Sequence, residues 1–278
     1  MAAWQAQPRL TPGGQPFYSD AAIEMSLMLR SAFRMPLRQA QGLMGSVFQL
    51  LGVALPVPDY STVSRRAMKL PPISVGRLPE GPLHLLIDST GLKVYGAGEW
   101  LTEKHGARAR RCWSKLHLAV DANTNMIMAS VLTGKEVDDP SQVQALLDQI
   151  PDDIAQITAD GAYDGEPTYQ AIAAHGADIA VVIPPRSTAV PSKNADTFPT
   201  QRDRHIAAIA QTGRLGWQND TGYGQRSLVE TAMGRYKAII GPKLRARILP
   251  AQQGETAIAT EVLNRMIRVA KPLSIRAT

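Results

Sequence analysis

Apolar residues near the start of the chain recur every three or four positions. In YSDAAIEMSLMLRSAF the set Ala22, Met25, Leu29 and Phe33 falls on one side of a helix, and Ser19 or Asp20 supplies its N-cap. Pro36 suits the first turn of a second helix, PLRQAQGLMGSVFQLLG, with Gly52 near its end. VALPVPDYSTVSRRAMKL then predicts a turn, a cap at Asp59 or Ser61, and a short helix bearing Arg65 and Arg66. Helix, turn and short polar helix is the outline of a helix-turn-helix DNA reader, and equally of a plain helical bundle. On the first reading Ser61, Thr62, Ser64, Arg65 and Arg66 face DNA.

The run PPISVGRLPEGP disfavours regular structure and predicts a linker over about 73–82. Beyond it the pattern alternates between strands and helices. LHLLID (83–88) and IAQITAD (154–160) are apolar strands, each ending on an aspartate. KLHLAVDANTNMIMASVLTG reads as two strands about a turn at 121–125, and ADIAVVIPP as a buried strand cut off by prolines. Helices are predicted over 141–150, with Asp139 or Ser141 as cap, over 166–176 stopped by Gly176, from Tyr223 to Lys237, and over 255–270. A polar stretch from about 186 to 223 shows no sustained apolar period and reads as an insertion.

Three strands in a meander, then helix, strand, helix, strand, helix, give a mixed sheet with helices on its faces. That succession matches ribonuclease-H-like nucleases. The expected organisation is a flexible leader (1–15), a small all-helical domain (16–72), the linker, and an α/β ribonuclease-H-like domain (83–278).

Composition and charge narrow the function. Apolar residues make up 44% of the 278 positions, enough for a core. Between Arg186 and Pro250 stand eleven Lys and Arg against four Asp and Glu, a larger surplus than the net +6 of the whole chain. A localised basic field is the footprint of a phosphate-backbone binder. Cys112 is the only cysteine, which excludes an intrachain disulfide and a cysteine-rich zinc site. The five histidines form no close ligand pair, and neither Gly-x-Ser-x-Gly nor a Walker loop occurs. No apolar run reaches the ~20 residues of a membrane span, and no signal peptide is visible. The expected setting is the cytoplasm, in association with the nucleoid.

The chemistry-bearing candidates are acidic. Asp88 and Asp160 each close an apolar strand, and ligand chemistry gathers at the carboxyl ends of strands in open α/β sheets. Glu230, on a helix amid the densest basic stretch, would complete a three-carboxylate cluster if the two strands are neighbours. Close carboxylates repel unless a cation sits between them. Hard oxygen ligands suit Mg²⁺ or Mn²⁺, and two such ions serve in-line phosphoryl displacement. Tyr223, Arg226, Glu230 and Lys237 have spacings that place them along one helix face, so the cations meet DNA while the glutamate meets metal. The plainer readings are a turn former at each aspartate and a surface ion pair for Arg226 and Glu230. Asp164 is a fallback ligand, and Asp121, Asp138 and Asp139 read as turn or capping acids.

Those four residues fit the Y-x2-R-x3-E-x6-K pattern of bacterial insertion-sequence transposases of the DDE type, family five. LHLLIDSTGLKVYGAGEW resembles that family's first-aspartate block and ITADGAYDG its second; PFYSDAAIEMSLMLRSAF and LPVPDYSTVSRR resemble its helical N-terminal region. The resemblance implies a transposase with Asp88, Asp160 and Glu230 as catalytic and metal-binding triad, using two Mg²⁺ or Mn²⁺ ions to cleave at terminal inverted repeats and to join the freed 3′-hydroxyls to target DNA. It also implies a homodimer or larger synaptic assembly and no membrane partner. The leader is shorter than family members often carry. Two other readings remain open, a catalytically silent DNA-binding derivative and a stand-alone nuclease.

Overall fold

The computed structural model describes residues 4–8, 10, 12–70, 81–94 and 113–269. In chain order its main elements are α1 (Asp20–Ala32), α2 (Leu37–Leu50), α3 (Tyr60–Arg66), β1 (Leu83–Val94), β2 (Trp113–Asp121), β3 (Ile127–Gly134), α4 (Val143–Leu147), β4 (Ile154–Ala159), α5 (Glu166–His175), β5 (Ala180–Val182), α6 (Gln201–Thr221), α7 (Ser227–Ile239) and α8 (Leu249–Val269). The chain divides into two compact units. A helical unit holds the described residues up to 70, Val94 and 236–269, and a sheet unit holds 81–93 and 113–235. Of the predicted linker, only Gly81 and Pro82 fall among the described residues.

In the helical unit the caps form where the polar residues allow them. Ser19 accepts a hydrogen bond from the Ala22 amide and starts α1; Asp59 accepts from the Ser61 amide at 2.9 Å and starts α3. Pro36 precedes α2, and Gly52 past its end takes a left-handed φ of 64°. The buried face of α1 differs from the predicted one. Ala22, Ile23, Ser26, Leu27 and Met28 are buried, whereas Met25 and Phe33 are 40% and 58% exposed. The face turned inward is the one that meets Val63 of α3 and Ile258 and Val262 of α8 in a single apolar cluster.

The final helix, expected as part of the domain over 83–278, groups by compactness with the helical unit. Starting at Leu249, earlier than predicted, α8 packs on α1 and on the 3₁₀ turn Ala67–Lys69. The approach is close enough that a Cβ on Gly254 would sit 3.3 Å from the Ala67 carbonyl oxygen. Each Leu or Ile buried there contributes about 1.5–3 kcal/mol. The described residues of the leader make contacts within the helical unit. The Trp4 indole donates to the Pro56 carbonyl at 2.8 Å and meets the Phe48 ring edge-on, and residues 5 and 18 form a β-bridge.

In the sheet unit five strands run in the order β3-β2-β1-β4-β5. The pairs β1–β2 and β2–β3 are antiparallel, while β1–β4 and β4–β5 are parallel. This is the mixed sheet of the ribonuclease-H-like fold, as the order of elements predicted. Leu85, Leu86 and Ile87 of β1 and Leu116 and Leu118 of β2 are essentially inaccessible, as central strands covered on both faces should be. The β2–β3 turn is closed by Asp121, which accepts from the Thr124 amide at 2.9 Å, with Asn125 at a φ of 59°.

Three elements depart from the pattern. β1 does not stop at Asp88 but continues to Val94, because its antiparallel ladder with β2 runs on to Lys93 and Trp113. The polar stretch holds a helix, α6, opened by a reciprocal capping box between Thr200 and Asp203 and bent at Gly213. Its anchors are single residues: Trp217 is buried, and Asp203 gathers the Ser192 and Thr200 amides and hydroxyls at 2.7–3.0 Å. Finally, α6 ends at left-handed Gly222, and Tyr223–Arg226 is a 3₁₀ turn before α7 instead of that helix's first turn.

Candidate active site

The parallel register of β1 and β4 places the first two acids. Its last pair is Ile87 with Ala159, and one residue further on each strand stand Asp88 and Asp160. Residues at equivalent positions of neighbouring strands lie about 4.8 Å apart and project from the same face. Asp88 thus sits at the end of the parallel ladder although its own strand continues. The Asp88 carboxylate accepts from the Ser89 amide at 2.7 Å, and Asp160 accepts from the Ala162 amide at 2.8 Å, which turns the chain into the 3₁₀ segment Gly161–Tyr163.

Arg226 ties the third acid to this pair. It donates through Nη1 to Asp88 Oδ2 at 2.9 Å and through Nη2 to Glu230 Oε1 at 2.6 Å. Val229, Ala232 and Met233 bury the inward face of α7, leaving the Glu230 side chain 58% exposed one turn after Arg226. Among the described residues no three of His, Cys, Asp and Glu stand close enough to share an ion. Glu230 joins the aspartates through the guanidinium, not directly.

Burial pushes the Asp88 carboxyl up and the nearby Asp160 charge adds to the rise, while the Ser89 amide and Arg226 work against it. Tyr163 lies within electrostatic reach of Asp88, Asp160, Asp139 and Arg226. The residue is 1% exposed, burial pushes its phenol far up, and its hydroxyl has no hydrogen-bond partner among the described residues.

A wall built from the polar insertion supports Tyr223. Its ring is 5.4 Å from that of Trp217, whose indole donates to His205 Nδ1 at 2.9 Å. His205 Nε2 in turn lies 2.6 Å from the Val181 carbonyl on β5. A carbonyl only accepts and an indole only donates, so His205 is neutral with its proton on Nε2. Burial lowers its pKa in keeping with that state.

Of the expected residues, the structure brings Asp88, Asp160, Tyr223, Arg226 and Glu230 into one neighbourhood. Lys237 follows Glu230 by two helical turns on α7. Arg65 is exposed and near Thr62 at 3.2 Å, whereas Arg66 is engaged with the Tyr18 carbonyl and Asp20. The side chain of Asp164, the fallback ligand, is wholly buried and held by Arg202 at 2.6 and 3.0 Å and by the Arg186 amide at 3.0 Å. His117 is a buried strand residue beside Thr133 at 2.8 Å. The sequence reading passed over Tyr163, Trp217 and His205. The aromatic inside DGAYDG, directly after Asp160, was the one available signal; nothing local marks the other two.

Comparison with known proteins identifies the family. A family model described as a transposase DDE domain matches residues 79–265, and a second with the same description matches residues 1–97. Among solved structures, a piggyBac transposase synaptic complex with hairpin DNA is similar with 12% identity over 98% of this chain and 71% of that one, at a TM-score of 0.40. A Drosophila P element transposase strand transfer complex is similar with 10% identity over 93% of this chain and 82% of that one, at a TM-score of 0.34.

Proposed function

The chain belongs to the transposase DDE domain family, and from that premise we propose that it cuts DNA at terminal inverted repeats and joins the freed 3′-hydroxyl to target DNA with Asp88, Asp160 and Glu230 as its working acids. The observation that carries this reading is the register that sets Asp88 opposite Asp160, with Arg226 linking Asp88 to Glu230.

Family membership implies dependence on a divalent cation; that the ion is Mg²⁺ or Mn²⁺, and that two are used, belongs to the proposal. The chemistry of the donors suits such an ion, with Glu230 now held to the aspartates through Arg226 and not in direct reach of them. Three carboxylates against one guanidinium leave two negative charges uncompensated, the oxygens are hard, and the Tyr163 hydroxyl is buried and unpaired beside them. Asp88 and Asp160 would hold the ion with Glu230 as the further ligand, and the bound ion would activate the attacking oxygen and stabilise the leaving one.

The chain's own residues supply the rest. Arg226 keeps Asp88 and Glu230 apart yet oriented, and a guanidinium with five donors has bonds left for a phosphate oxygen. Tyr223, fixed by Trp217, gives the DNA backbone a rigid neighbour at the edge of the acids. Lys237, Arg65 and Arg66 are the further expected DNA contacts, with Arg66 tied into the helical unit and Arg65 exposed. The partners are duplex DNA carrying inverted repeats, target DNA, and further copies of this chain in a synaptic assembly.

The test is incubation of the purified protein with Mg²⁺ and labelled duplex built from inverted repeats flanking the gene. Joined products are expected. Nicks without joining would make it a nuclease, and binding alone a silent derivative. The Glu230→Gln variant should bind the same DNA and leave it intact; cleavage by that variant would remove Glu230 from the mechanism.

A further inference from the structure

The helical unit contains a cavity of about 320 Å³ that the proposed chemistry does not use. Five cations line it, Arg30, Arg34, Lys243, Arg245 and Arg247, against one acid, Glu255. Leu37, Met68, Tyr236 and Ile240 provide apolar wall.

Two of the arginines are already employed. Arg34 donates through Nε to the Ile239 carbonyl at 2.6 Å and also reaches the Ala238 carbonyl, which closes the end of α7. Arg245 donates to the Met35 carbonyl at 2.8 Å and the Arg34 carbonyl at 2.5 Å, beyond the end of α1. Glu255 is likewise committed, accepting from the Arg245 amide at 3.0 and 3.1 Å and the Ala246 amide at 2.8 Å.

Arg30 is the exception. It lines the cavity from α1, its Nε is buried, and that atom has no hydrogen-bond partner among the described residues. Burial lowers its pKa, and the Glu255 charge only partly restores it. A buried guanidinium N–H without an acceptor bears its desolvation cost, which the Glu255 charge offsets only in part. An anion in the cavity would supply the acceptor.

We infer that this cavity binds a single nucleotide, with the phosphate on Arg30 and Arg247 and the base against the apolar wall of Leu37, Met68 and Ile240. The charge balance calls for an anion, and the wall calls for an apolar part attached to it. The volume lies at the lower end of small-molecule sites and admits one unpaired nucleotide but no duplex. The ligand is either a free nucleotide or the terminal nucleotide of a DNA strand. Choosing a nucleotide among anions of that size rests on the DNA chemistry proposed above, but binding here is read without any cleavage.

The test is calorimetry and thermal shift on the full chain with inorganic phosphate, dAMP, dTMP, decanoate, a 5′-phosphorylated single-stranded oligonucleotide and its blunt duplex. Saturable binding of dAMP or dTMP, tighter than phosphate, is expected, and Arg30→Met should weaken it about 10- to 100-fold. Oligonucleotide binding displaced by dAMP supports the same pocket and identifies the source as a strand end. Decanoate binding without nucleotide binding overturns the inference, as does unchanged affinity in Arg30→Met. Should that variant not fold, Arg247→Ala on the exposed rim decides: weaker nucleotide binding supports the pocket, and unchanged binding overturns it. The same titration in Glu230→Gln separates this inference from the cleavage reading, because nucleotide binding should persist there whether or not the acids are catalytic.

Discussion

Two arginines show how differently the two units handle a buried cation. Arg226 in the sheet unit spends its guanidinium on Asp88 and Glu230, so burial and charge compensation go together. Arg30 in the helical unit faces a cavity with its Nε unpaired, while the acid closest in charge, Glu255, is taken by backbone amides. The first centre is a cluster of acids with one cation inside it; the second is a cluster of cations with one acid. The lesson is that net charge along a sequence says little about where a ligand is wanted. What matters is which charged group lacks a partner, and of which sign.

The largest test of the contrast is chemical. Asp160→Asn should reduce strand cleavage on the order of 10⁴-fold, measured on labelled inverted-repeat DNA, and leave nucleotide titration of the helical unit unchanged. Trp217→Ala comes next. Emptying that buried site should cost about 3–5 kcal/mol in urea unfolding and release Tyr223 beside the acids.

A paired substitution reads the contrast directly, through opposite signs. Arg30→Met removes a half-buried cation whose Nε lacks an acceptor and should raise stability of the ligand-free protein by about 1 kcal/mol. Arg226→Met leaves Asp88 without its cation and should lower stability by about 1 kcal/mol, a figure already reduced for the exposure of Glu230. Equal signs would erase the distinction between the two centres.

The smallest effect is in pH. His205 has a pKa lowered by burial, so below its ordinary value of about 6.5 the unfolded chain binds more protons than the folded one. Stability should be full above that pH and decline as pH falls through it, because protonating Nδ1 ends the bond from Trp217. The described histidines, His84, His117, His175 and His205, lie in the sheet unit, and replacing His205 by Gln should flatten the decline in urea midpoints.

Much of this protein was legible in its residues. Helix caps at Ser19 and Asp59, the turn at Asp121 and the alternation of strands and helices follow from contacts within a few positions, which local chemistry governs. The polar stretch hid α6 because a helix held by one tryptophan and one capping aspartate has no apolar period to detect. Tertiary structure alone decided the rest. Hydrophobic spacing on α1 allowed more than one buried face, and packing against α3 and α8 selected the one with Ile23 and Leu27. The pairing of β1 with β4 brought Asp88 opposite Asp160 across some seventy intervening residues, and the placement of α8 left Arg30 facing a cavity. Such pairings depend on which distant segment fills each space, and a sequence pattern records only that a space must be filled.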